Sequence, residues 1–105
     1  MANPRVGPPI IPPVATVELT RHLYTFFPAL EGRELRVDAT TVAEALQALE
    51  QLAPGSSFYI CDERGRLRRH VNIFVDGELL RDRNTLADPV GPDTNIMIMQ
   101  ALSGG

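Results

Sequence analysis

Val71-Asn72-Ile73-Phe74-Val75-Asp76-Gly77-Glu78-Leu79-Leu80 reads as a β-hairpin. Its first five residues are mostly β-branched or aromatic, which suits a pleated, half-buried surface. Asp76-Gly77 is a pair favoured in two-residue hairpin turns, whose central positions need positive φ. That geometry makes Asp76 a turn residue and not a catalytic acid. If Val71, Ile73 and Val75 face inward, period two turns Asn72 and Phe74 outward. The hairpin then has one face for a core and one face that presents an aromatic ring.

Working outward, residues 81–93 are polar and contain Pro89, Gly91 and Pro92, with Leu86 and Val90 placed to pin the segment to a core. Asn95-Ile96-Met97-Ile98-Met99-Gln100 is an apolar, branched run suited to a last strand, and alternation offers Met97 and Met99 as outward residues. Upstream, Thr41-x-x-Glu44 is a capping box that opens a helix over about 42–53, closed by Pro54-Gly55. Val42, Ala45, Leu46, Leu49, Leu52 and Ala53 form its apolar stripe. Glu44, Gln47, Glu50 and Gln51 lie opposite, where the two glutamates read as solvated surface. Phe58-Tyr59-Ile60 reads as a short strand or turn before the polar loop over 62–66. Residues 14–20 and 34–38 read as a first pair of strands. Their connection, with Leu23, Tyr24, Phe26, Phe27, Pro28 and Gly32, is longer than a tight hairpin. Strand, strand, helix, strand, short strand, strand gives an α+β domain, a mixed sheet packed on one main helix.

A chain of 105 residues fits one domain, assigned to 14–100, that buries roughly 65% of its unfolded surface. A net charge of −3 supplies no strong field for nucleic acid or an anionic membrane. No segment approaches the roughly 20 apolar residues of a membrane span. Residues 1–13 hold five of the nine prolines and read as an extended leader, open to disorder, and not as an export signal. The cytoplasm is the expected compartment. One cysteine, Cys61, excludes an internal disulfide and reads as a small buried apolar residue. All ten basic residues are Arg, so no side chain here can accept an isopeptide bond.

The last strand leads through Ala101-Leu102-Ser103 into Gly104-Gly105. Residues 101–105 read as a flexible tail ending in a carboxylate with no neighbouring side chain. From Gln100 the tail reaches at most about 20 Å when extended, at roughly 3.3 Å per residue. Without a Cβ its glycines can thread a narrow channel into another protein's active site.

Arg69-His70-Val71-Asn72-Ile73-Phe74-Val75-Asp76-Gly77, Leu86-Ala87 and the run from Ile96 to Gly105 resemble the ubiquitin-like sulfur carriers. These are the small subunit of molybdopterin synthase, the thiamin-pathway carrier and the cysteine-biosynthesis carrier. The resemblance covers 41–105 and is strongest from Val71 onwards. It departs at Asp93-Thr94, where these carriers have Gly-Asp, and at Gln100-Ala101, where many have Pro-Ala. The resemblance implies a β-grasp fold with parallel first and last strands, a topology the periodicity permits. It also implies that Gly105 carries the sulfur as a thiocarboxylate and that Gly104 gives the slim approach. The carrier binds no cofactor itself and is a cosubstrate, not an enzyme. An adenylating, E1-like enzyme spends ATP on it, and an acceptor such as a molybdopterin synthase large subunit or a cysteine synthase takes the sulfur. A ubiquitin-like modifier conjugated through Gly105 and a noncovalent β-grasp binding module are the alternatives.

Phe74, Met97, Met99 and Leu102 together suggest an apolar docking patch beside the tail, the alternative being a satellite core under a loop. Arg64, Arg66, Arg68 and Arg69 with His70 form the basic cluster, read either as solvated edge charge or as steering towards an acidic partner. Without interleaved aromatics it gives no signature for nucleic acid. His22 and His70 belong to no catalytic arrangement.

Overall fold

The computed structural model describes residues 14–32 and 34–100, so the leader over 1–13 and the tail over 101–105 lie outside the described residues. Alternating burial organises β1 (Val14–Leu19), β2 (Leu35–Asp38), β3 (Val71–Val75), β4 (Glu78–Leu79) and β5 (Asn95–Gln100). They form one sheet in the order β2-β1-β5-β3-β4. β5 is central, parallel to β1 and antiparallel to β3. Its inward Ile96 and Ile98 are wholly buried. They lie beside Val17 and Leu19 on β1 and opposite Val75 and Ile73 on β3. A parallel pair made from the first and last strands uses the whole intervening chain as its crossover. This is the β-grasp arrangement.

The hairpin forms at the register its turn dictates. Asp76 and Gly77 take φ of +50° and +85°, and Val75 pairs with Glu78 and Phe74 with Leu79. Just before β5, Asp93 holds φ of +66°. Glycine adopts that left-handed conformation most easily and aspartate tolerates it. The departure from the carriers' glycine is therefore conformationally mild.

α2 (Val42–Leu52) packs across the sheet with Val42, Ala45, Leu46 and Leu49 buried. Thr41 Oγ1 accepts the Glu44 N–H at 3.2 Å, whereas the Glu44 carboxylate reaches one residue further back, to the Thr40 N–H and hydroxyl at 2.7 Å each. Leu52, assigned to the buried stripe, is 38% exposed. Steps of about 100° per residue put it at the margin of the stripe, and Ala53 takes the buried place. Leu86 and Val90 pin the 81–93 segment to the core as expected.

Two short helices stand where the sequence suggested a long connection and a short strand or turn. α1 (Arg21–Phe26) and a 3₁₀ turn over Pro28–Leu30 fill the long connection, anchored by buried Leu23 and Leu30. α3 (Ser56–Ile60) stands where a strand or turn was expected. Glu50 explains it. Its carboxylate leaves the polar face of α2 to accept the N–H groups of Gly55 and Ser57, at 2.9 Å each, and the Ser57 hydroxyl at 2.8 Å. Orphan donors at the start of α3 are thereby satisfied. Glu50 is a cap in trans and not free surface charge.

The Gly55 N–H bond, then those from Ser57, hold the Glu50 carboxyl below its ordinary range. The Thr40 hydroxyl does the same for Glu44. A depressed folded-state pKa means stability that is present above the unfolded value and lost as pH falls through the folded one. Thermal midpoints should therefore fall on acidification through and below the ordinary carboxylate range. Glu50→Gln should lower the midpoint at neutral pH and flatten that acid limb. A Glu50→Gln melting profile parallel to wild type from pH 7 to pH 3 would refute the capping role.

Candidate functional site

The outer face of the sheet presents an apolar row. Glu18 on β1, Met97 on β5, Phe74 on β3 and Leu79 on β4 are successive cross-strand neighbours. Met99 lies opposite Asn72 in the next row. Phe74 and Met97 are half-buried against each other, while Leu79 and Met99 are 56% and 38% exposed. The structure thus brings Phe74, Met97 and Met99 together on the face opposite α2. Leu102, Gly104 and Gly105 lie outside the described residues. Leu79 was missed, although a two-residue turn fixes it opposite Phe74.

Polar groups bound the row. Glu18 accepts the Asn95 side-chain amide, and Asp76 Oδ1 accepts the Asn95 N–H at 2.8 Å. The first bond ties β1, and the second the hairpin turn, to the start of the central strand. At the other end of β5, Gln100 pairs with Val71 and its Oε1 accepts the Tyr59 hydroxyl at 2.8 Å. The Tyr59 ring contacts Phe26, Phe27 and His70 at centroid distances of 5.0, 5.8 and 6.4 Å. A cluster of rings centred on Tyr59 therefore adjoins the last described residue before the tail. Sequence reasoning missed it because Tyr59 and Gln100 are 41 positions apart.

The basic cluster, all but Arg64, forms one wall of an open groove of about 880 Å³. Arg66, Arg68, Arg69 and His70 come from the loop before β3, and Arg81 and Arg83 from the segment after β4. Arg83 is the fixed member. It donates to the carbonyls of Arg68 and Val71 at 2.8 and 3.0 Å and to Asn72 Oδ1 at 3.2 Å. It thereby closes the edge of β3 where β4 stops short. Arg68 is held by the Phe58 carbonyl at 2.9 Å and lies 5.0 Å from the centroid of the Phe58 ring. Arg83→Leu would strand those carbonyls and should destabilise the fold by about 1–3 kcal/mol in urea unfolding. Unchanged stability would show that the guanidinium is no latch.

Cys61 is buried and free, in an isolated bridge with Leu67. Burial, reinforced by Asp62, pushes its thiol pKa up, which keeps it protonated at neutral pH and ill-suited to act as a nucleophile. Among the described residues no His, Cys, Asp and Glu group is placed to hold a metal ion. No helix among them is long and apolar enough to cross a membrane.

The ThiS family model matches residues 21–105. Among solved structures the chain is similar to CysO of Mycobacterium tuberculosis, at 26% identity and a TM-score of 0.72, covering 84% of this chain and 99% of that one. It is similar to a chain of the Amycolatopsis orientalis BexX/CysO complex, at 24% identity and a TM-score of 0.74, covering 87% and 99%. SAMP1 of Haloferax volcanii, a small archaeal modifier protein, shares 24% identity at a TM-score of 0.70, covering 88% and 99%. A comparison with curated proteins gave no match.

Proposed function

The chain belongs to the ThiS family of ubiquitin-like sulfur carriers, and from that premise we infer that its Gly105 carboxylate is adenylated by a partner and converted to a thiocarboxylate. The observation that carries this reading is the family match extending to Gly105 itself. A carboxylate is a poor electrophile. Attack of its oxygen on the α-phosphorus of ATP releases pyrophosphate and gives an acyl-adenylate. A sulfur nucleophile then adds to the carbonyl carbon, a C–S bond forms, the C–O bond to AMP breaks and AMP leaves.

This chain supplies the carboxylate, a slim Gly104-Gly105 approach and a surface to be recognised. The ATP site and catalytic groups belong to the activating enzyme, which makes the chain a cosubstrate. The row of Phe74, Met97 and Leu79, with Met99 beside it, is the docking patch in this reading, because polarisable and aromatic side chains serve partners that exchange. That CysO appears in a complex with BexX supports work done in the hands of a partner. The sulfur would pass to an acceptor enzyme in cofactor or cysteine biosynthesis, with the cytoplasm as the compartment. Likeness to a modifier protein, SAMP1, favours conjugation through Gly105 as the second reading.

Intact-protein mass after incubation with an activating enzyme, ATP and a sulfur donor tests the first reading. A shift matching replacement of one oxygen by sulfur is expected. No shift with several competent activating enzymes would overturn it. Isopeptide-linked remnants of residues 84–105 on lysines of other proteins after tryptic digestion, dependent on Gly105, would favour conjugation.

A further inference from the structure

The basic groove is a feature that the carrier chemistry leaves unused. Five of the ten arginines line it against two acids, Asp62 and Asp82, a formal excess of three positive charges in a chain of net charge −3. Its two acids do not neutralise it. Asp62 Oδ1 is engaged by the N–H groups of Arg64 and Arg66 at 2.9 and 3.0 Å, with a single ion pair, to Arg66 at 3.5 Å. Asp82 is engaged by the Asn84 and Thr85 N–H groups and the Thr85 hydroxyl. Arg68 and Arg83 are oriented by carbonyls and an amide oxygen, which fix their direction without cancelling their charge. Arg69 and Arg81 are exposed and form no ion pair among the described residues.

Position gives the groove a purpose. His70, at its rim, contacts Tyr59 and directly precedes Val71, the sheet partner of Gln100. The rim therefore adjoins the point where the described chain ends at Gln100. We propose that the groove docks an acidic polypeptide segment, rich in Asp and Glu, of the protein that takes up the tail; the identity of that protein rests on the carrier reading above. Spaced guanidiniums separated by two fixed carboxylates suit carboxylates carried along a peptide. They suit less well the dense charge of a polyphosphate, which Asp62 and Asp82 would repel. Nucleic acid would ask for aromatic faces to stack on, and among the described residues no Phe, Tyr or Trp lines the groove.

The test is titration of the isotope-labelled full chain with a blocked hexaglutamate peptide, followed by amide chemical shifts. Shifts should localise to residues 66–70 and 81–84 and fade as salt shortens the Debye length. Arg69→Glu with Arg81→Glu should weaken binding at least about tenfold, as expected for charge reversal at an electrostatic contact, while Arg36→Glu on β2 should not. Scattered or absent shifts would overturn the proposal, and so would tighter binding of tripolyphosphate at the same residues. A concentration-dependent sedimentation coefficient abolished by the double variant would assign the groove to a second copy, and overturn it too. The thiocarboxylate assay reads the carrier chemistry separately. Peptide binding without thiocarboxylate would keep the groove and reject the carrier reading. Thiocarboxylate formation with an unchanged KM for the double variant would reject the groove's part in tail uptake.

Discussion

Deleting Gly105 should reduce thiocarboxylate formation to background while leaving unfolding curves where they are. The shortened chain still ends in a glycine carboxylate, so the expected loss is one of reach and not of functional group. One residue withdraws the reacting carbon by roughly 3.3 Å. In-line attack needs reacting atoms about 3–3.5 Å apart, and a misplacement of about 1 Å already costs on the order of a hundredfold. A rigid domain docked through its own surface cannot recover that distance without giving up contacts. The described sheet and core end at Gln100, so stability is not expected to change. Product formation by the deletion variant within tenfold of wild type would reject Gly105 as the reacting terminus. Appending one glycine tests the same ruler from the other side and should also depress the rate.

Where local chemistry decides structure, the sequence was legible. Asp76-Gly77 dictated the hairpin and its register, Thr41 and Glu44 marked the start of α2, and period two separated Ile96 and Ile98 from Met97 and Met99. It was illegible where tertiary contacts overrule weak local preference. α1 has six residues, aromatic or β-branched in part, no side-chain cap and Leu23 as its buried anchor. An isolated helix that short would not form, and packing holds it. α3 begins at Gly55 in the left-handed region and depends on Glu50 reaching across from α2. No pattern within 56–60 announces such a cap. The site divides the same way. Phe74, Met97 and Met99 follow from alternation and Leu79 from the turn, whereas the Tyr59–Gln100 bond and the two-walled groove join segments that only the fold brings together.

Phe74→Asp should lower kcat/KM for activation by about 30- to 150-fold, chiefly through KM. The ring lies at the middle of the Glu18–Met97–Phe74–Leu79 row, with Met97 and Leu79 as its cross-strand neighbours. Truncating an aromatic anchor at the centre of an interface typically costs about 2 kcal/mol or more. A carboxylate buried there without a partner adds its own desolvation. A loss of 2–3 kcal/mol corresponds to roughly 30- to 150-fold in affinity. Because Phe74 takes no part in the bonds proposed to form and break at Gly105, its contact should contribute equally to ground and transition states, so the loss is expected on KM and not on kcat. The fold should survive, since Ile73 and Val71 carry the inner face of β3 and the outer pair contributes about 0.2–1 kcal/mol. Phe74→Leu keeps an apolar side chain of similar reach and should lose less than tenfold. Equal kcat/KM for Phe74→Asp and wild type would move docking off this face, and a drop in kcat alone would make Phe74 part of the tail's guidance instead of the anchor.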